Sequence, residues 1–157
     1  MTTGEERKMH ASPGGQRLIC IMQELNYGRV ERLLDRHREP FLRRCFTPVE
    51  QAYALSRKNA SQHLAARFAV KEAVMKALGT GWGQGVRWRD IGVRREPGKA
   101  PHVSLTGGAA RRARQLGILR VHISISHLRG EALAFAVAEG DPPAGPCPGR
   151  KRARRRS

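Results

Sequence analysis

The chain has 157 residues, enough for one domain with a modest core, and only 5% of them are aromatic, so aliphatic side chains must supply most of the burial. Its formal charge of +17 points to an anionic partner without saying whether that is nucleic acid, a phosphorylated metabolite or an acidic protein. Three cysteines, Cys20, Cys45 and Cys147, lack zinc-ligand spacing and leave one unpaired, which argues against a disulfide framework and fits a reducing cytoplasm.

No apolar run approaches the roughly 20 residues that span a bilayer, and none near the start resembles a signal peptide. A soluble, unexported protein is expected.

Residues 1–16 are polar around Ser12-Pro13-Gly14-Gly15 and read as a flexible leader, ahead of the apolar run Leu18–Met22, a candidate buried strand. From Arg29 to His37 the apolar Val30, Leu33 and Leu34 recur at helical spacing among arginines, giving a basic amphipathic helix. Thr47-Pro48-Val49-Glu50 is a helix start with a cap, a first-turn proline and a capping-box acid. A long helix then runs from about Asn59–Ser61 to Leu78, ended by Gly79.

Ile91–Val93 and His102–Leu105 read as strands joined through Pro97-Gly98, and Thr106 as the cap of a helix to about Leu116. Val121–Ser126 and Glu131–Ala138 form a final hairpin, turning over His127–Gly130, with Leu133, Phe135 and Val137 alternating along its second strand. The remainder, 141–157, is a Pro- and Gly-rich basic tail in which Arg150, Lys151, Arg152, Arg154, Arg155 and Arg156 supply six positive charges. Residues 17–140 are therefore the folded domain. Mixed helices and hairpins with few βαβ crossovers make the class α+β.

The chemistry concentrates in Arg67–Gly81. Phe68, Glu72 and Lys76 share one side of the helix, with Arg67 and Lys71 on a neighbouring stripe and Gly79-Thr80-Gly81 directly after. One carboxylate among cations suits a metal ion and a polyphosphate, although an i,i+4 Glu–Lys pair is usually solvated decoration worth roughly 0.2–0.5 kcal/mol.

That helix, the Gly-Thr-Gly turn, and Ser124-Ile125-Ser126-His127 in this order resemble holo-[acyl-carrier-protein] synthase, the small-subunit class of 4'-phosphopantetheinyl transferases. Arg43–Glu50 and Gly98-Lys99-Ala100-Pro101 are supporting matches, and the resemblance runs from about Arg29 to Glu139. It implies an antiparallel sheet packed against the long helix, a homotrimer with active sites between subunits, and magnesium-dependent transfer of the phosphopantetheine arm of coenzyme A to a serine of an acyl carrier protein.

By the same resemblance Glu72 matches the metal-binding glutamate and Lys76 the catalytic lysine after it. Arg67, Lys71, Gly79, Thr80, Gly81 and His127 match positions around the coenzyme. Arg29, Arg43, Arg44 and Phe41 match the surface that docks the carrier protein, for which a solvated basic face is the plainer alternative.

The family's second metal ligand, an aspartate on the first strand, has no counterpart. Aligning forward from Leu18 puts Glu24 there; aligning backward from Arg29 puts Gln23 there. Two further readings compete: a catalytically impaired relative that still binds coenzyme A or carrier protein, and a nucleic-acid-binding module resting on the basic tail. The core has no aromatic stacking platform, which argues against specific nucleic-acid readout.

Overall fold

A computed structural model describes residues 8–11, 16–81 and 83–141. Four antiparallel strands form the main sheet in the order β1 (Lys8–Ala11), β2 (Arg17–Asn26), β6 (Glu131–Gly140), β5 (Ile118–Leu128). A separate hairpin pairs β3 (Ile91–Arg94) with β4 (His102–Leu105). The helices are α1 (Tyr27–Cys45), α2 (Pro48–Leu55), α3 (Ala60–Ala77) and α4 (Gly107–Gln115), with a 3₁₀ turn at Trp88–Asp90. The α+β class and the antiparallel sheet against a long helix are as expected.

Helix α3 is the centre of the molecule. Leu64, Ala65, Ala69, Val70, Ala73, Val74 and Ala77 are fully buried, because the helix lies on β2, β6 and β5 and is also met by α1, α2 and β3. The sheet receives it on a face of small residues. Ala132, Ala134, Ala136 and Ala138 of β6 stand opposite Leu25, Gln23, Ile21 and Ile19 of β2, all of them buried. Alternation along β6 holds, and its alanines are the side that faces α3. Leu133, Phe135 and Val137 project from the other face, where Phe135 stays 41% exposed.

Several expectations are corrected. Lys8–Ala11, assigned to a flexible leader, pairs as β1 with Arg17–Cys20. The basic helix continues past His37 to Cys45, broken at His37 (φ −142°, ψ 41°), so that Pro40 falls in the opening turn of a second helical segment. Strand β5 runs through His127 to Leu128, leaving Arg129-Gly130 as the turn.

Thr106 makes no side-chain cap. Its Oγ1 donates instead to the Asp90 carbonyl, while the buried Asp90 carboxylate accepts from Gly108 N–H (3.1 Å) in the first turn of α4. The capping box of α2 is as read: Thr47 N–H donates to Glu50 (2.7 Å) and Glu50 N–H to Thr47 Oγ1 (3.3 Å). The expected tail lies outside the described residues, apart from Asp141.

Candidate active site

Helix α3 ends in a Schellman turn that places the first group of site residues. Leu78 closes the helix, Gly79 turns at φ 63°, and the N–H groups of Gly79 and Thr80 donate to the carbonyls of Lys76 (3.0 Å) and Met75 (3.1 Å). Gly81 follows, with open space where a Cβ would stand. One turn earlier Lys76 Nζ donates to Gln23 Oε1 at 2.9 Å, and Gln23 Nε2 donates to the Glu24 carbonyl at 3.0 Å.

Glu72 lies half-buried one turn before Lys76. Its Oε2 is buried without a hydrogen-bond partner, and burial pushes the carboxyl upward, opposed by the positive charges of Arg29 and Lys76. An orphaned carboxylate oxygen beside cations is a chemically apt cation ligand. The site offers little else of that kind: among the described residues no group of three or more His, Cys, Asp or Glu side chains converges.

The pleat of β2 decides between the two candidates for the second ligand. Gln23 shares the inward face with Ile21 and Leu25 and is 5% exposed, whereas Glu24 is exposed on the opposite face. Gln23, not Glu24, occupies the position beside α3. Assignment of Glu24 as a metal ligand is therefore corrected.

His127 joins this region through α1. Tyr27, the first residue of that helix, places its hydroxyl 2.7 Å from His127 Nδ1, and its N–H donates to Gly130 O at 2.9 Å. Burial raises the Tyr27 pKa, so the phenol keeps its proton. Arg29, exposed, follows two residues later. Tyr27 does not stand out in the sequence, and Gln23 enters there only as the alternative to Glu24; the hairpin turn brings in the first and the strand register selects the second.

Lys71 goes elsewhere, and its assignment to the coenzyme phosphates is corrected. Fully buried, it donates to Glu50 Oε2 (2.9 Å), Trp88 O (3.1 Å) and Ile91 O (2.6 Å), which uses all three ammonium donors. Glu50 Oε1 in turn accepts from Val93 N–H at 2.9 Å. Desolvation pulls the Lys71 pKa down and Glu50 counters it. This is a core tie between α2, α3 and β3.

Arg67 also leaves the Glu72 side of the helix. Its guanidinium stacks 4.1 Å from the Tyr53 ring centroid and donates to His63 O at 3.1 Å. It lines a cavity of about 280 Å³ with Tyr53, Arg94, Arg95 and His102. Arg43 and Arg44 are exposed and line a larger one, about 650 Å³, with Arg87, Trp88 and Arg89. Phe41 does not: it is 8% exposed and packs edge-on against Phe46 (5.4 Å between centroids) and near Phe68 (6.0 Å), so it is core rather than a docking surface.

A family model described as the 4'-phosphopantetheinyl transferase superfamily matches residues 26–137, and the chain belongs to that superfamily. The holo-[acyl-carrier-protein] synthases of Koribacter versatilis and Moorella thermoacetica are 45% and 46% identical to it over 111 and 115 residues. Those alignments take in 71% and 73% of this chain and 89% and 88% of the relatives. The crystal structure of holo-[acyl-carrier-protein] synthase from Neisseria meningitidis aligns with TM-score 0.69 at 31% identity, over 76% of this chain and 95% of that one. The Helicobacter pylori protein of the same name, solved in complex with coenzyme A, aligns with TM-score 0.67 at 29% identity, over 76% and 98%.

Proposed function

We propose that this chain transfers the 4'-phosphopantetheine arm of coenzyme A to a serine of an apo acyl carrier protein, releasing adenosine 3',5'-bisphosphate, in the cytoplasmic service of fatty acid biosynthesis. The observation that carries this reading is the pairing of Glu72, with its unpartnered buried oxygen, and the Lys76 ammonium held by Gln23 at the end of α3.

In the reaction the serine oxygen bonds to the phosphorus that carries pantetheine. The bond from that phosphorus to the bridging oxygen breaks, the electron pair leaves with adenosine 3',5'-bisphosphate, and the serine proton passes to a base. Charge grows on the bridging and non-bridging oxygens, so fixed cations lower the barrier. Lys76 supplies one, oriented by Gln23. A magnesium ion, when bound at Glu72, would neutralise pyrophosphate oxygens.

The Gly79-Thr80-Gly81 turn, open at Gly81, lets backbone approach the nucleotide, and His127, tied to Tyr27, lines the coenzyme pocket. Arg67, with Arg94 and Arg95 beside it, suits the anionic adenosine end. Arg29, Arg43 and Arg44 dock the acidic carrier protein, the latter two reinforced by Arg87 and Arg89 around Trp88.

Three copies assemble through the outer face of the sheet, where Cys20, Met22, Leu133, Phe135 and Val137 stand in cross-strand register and, among the described residues, no element covers them. Residues 17–140 carry the activity; the tail 141–157 is dispensable to it.

A second reading is favoured by one observation, the neutral Gln23 at the family's aspartate position: a relative that binds coenzyme A without transferring. Incubating apo carrier protein with coenzyme A and magnesium separates the two. Gain of the phosphopantetheine mass on the carrier supports transfer; coenzyme binding with no mass gain at high magnesium establishes the second reading.

A further inference from the structure

Where α3 crosses β2 the Lys76 ammonium meets the Gln23 carboxamide, and Glu72 stands one turn earlier on α3, within reach of the Lys76 charge. Gln23 is buried between Ile21 and Leu25 on the inward face of β2, opposite Ala134. Both ends of its amide are engaged, Oε1 by Lys76 and Nε2 by the Glu24 carbonyl, so it holds the ammonium in place as a neutral acceptor.

The charges that act on the Glu72 carboxylate are the positive ones of Arg29 and Lys76, and Gln23 brings no second carboxylate. One carboxylate beside two cationic side chains holds a dissolved divalent cation weakly and favours an anion. Magnesium keeps several waters and is commonly held by one or two carboxylates together with substrate phosphates. Here the protein brings one carboxylate, so phosphate oxygens must complete the set.

We propose that Gln23 makes this an ordered site, in which the pyrophosphate of the coenzyme binds first to Lys76, and the divalent cation enters only onto the Glu72–pyrophosphate pair. The proposal rests on the transferase reading above but concerns binding, not turnover. By linkage, the cation and the coenzyme raise each other's affinity by the same factor. Gln23 is a positioning residue: it fixes Lys76 and withholds the second negative charge that would let the cation bind alone.

Manganese, detected by the loss of its free-ion spin-resonance signal, tests this on the full chain, with coenzyme A alone as the blank. Manganese affinity is expected to be about tenfold or more greater with coenzyme A than without. Gln23→Asp should bind manganese about tenfold more tightly than the unmodified chain when no coenzyme is present. Glu72→Gln should lose the coenzyme-dependent gain.

Equal manganese affinity with and without coenzyme overturns the ordering, as does a folded Gln23→Asp chain no tighter than the original. Retention of the full gain in Glu72→Gln overturns the location. The transferase reading fails separately: coupled binding of manganese and coenzyme without labelling of apo carrier protein would sink transfer and leave the ordered site standing.

Discussion

Lys71 and Lys76 lie five residues apart on one helix, about 140° around its axis, and their fates diverge accordingly. Lys76 reaches Gln23 on β2, while Lys71 is spent on Glu50 and two backbone carbonyls. A motif match treats both as phosphate ligands. What separates them is long-range: Glu50 is 21 residues from Lys71 in sequence, and the carbonyls of Trp88 and Ile91 are 17 and 20 away.

Lys71→Met strands a buried Glu50 carboxylate and is expected to cost about 3–5 kcal/mol in urea unfolding. A loss under 1 kcal/mol, on the order of a surface pair, would show the tie is not a core element.

His63, at the start of α3, gives a pH signature. Burial pulls its pKa below the ordinary 6.5, helped by the charges of Arg67, His127, Arg57 and Arg95. Because the folded value is depressed, its contribution to stability is complete above the unfolded pKa and is lost as pH falls through the folded one. Melting temperatures from pH 8 to 5 should therefore drop less in His63→Gln than in the parent. Parallel curves would remove His63 from the account.

At the scale of elements, periodicity alone places α2, α3 and the two hairpins to within a few residues, because caps and glycines punctuate them: Thr47, Pro48 and Glu50 at one start, Gly79 at one end. It does not show which face of β6 is buried. Large residues at 133, 135 and 137 are the obvious candidates for the core, yet the alanines win because α3 must come close to the sheet. Ala134→Leu, at a fully buried position opposite Gln23, forces α3 outward and should destabilise the fold by about 1–3 kcal/mol. A neutral result in thermal unfolding would mean that the helix–sheet contact is looser than described.

The same pleat settles what alignment could not. Residue 23 or 24 as the second ligand is a one-residue question, and in a strand one residue is the difference between core and solvent. The site itself was half legible. Glu72, Lys76, the glycine turn and His127 are local motifs, whereas Tyr27, Gln23 and the Arg43–Arg44–Arg87–Arg89 cavity depend on elements far apart in sequence.

For the whole molecule, the outer sheet face is the feature a single chain does not explain. Phe135 at 41% exposure sits in register with Met22 and Ser124, in a row that continues to Leu133 and Val137. In the proposed trimer that row is buried between copies, so Phe135→Asp should convert the assembly to monomer in light scattering while leaving the far-ultraviolet dichroism intact. A parent chain that is already monomeric at assay concentration contradicts the trimer.

In the proposed reaction, transfer depends on Glu72 of α3 and not on the acid at position 24. Phosphopantetheine labelling of apo carrier protein by the parent chain, Glu72→Gln and Glu24→Gln, read by intact mass at fixed magnesium, tests it most directly. The expected outcome is a rate about 100-fold lower for Glu72→Gln and an unchanged rate for Glu24→Gln. Full activity in Glu72→Gln, or an equal loss in Glu24→Gln, would contradict it.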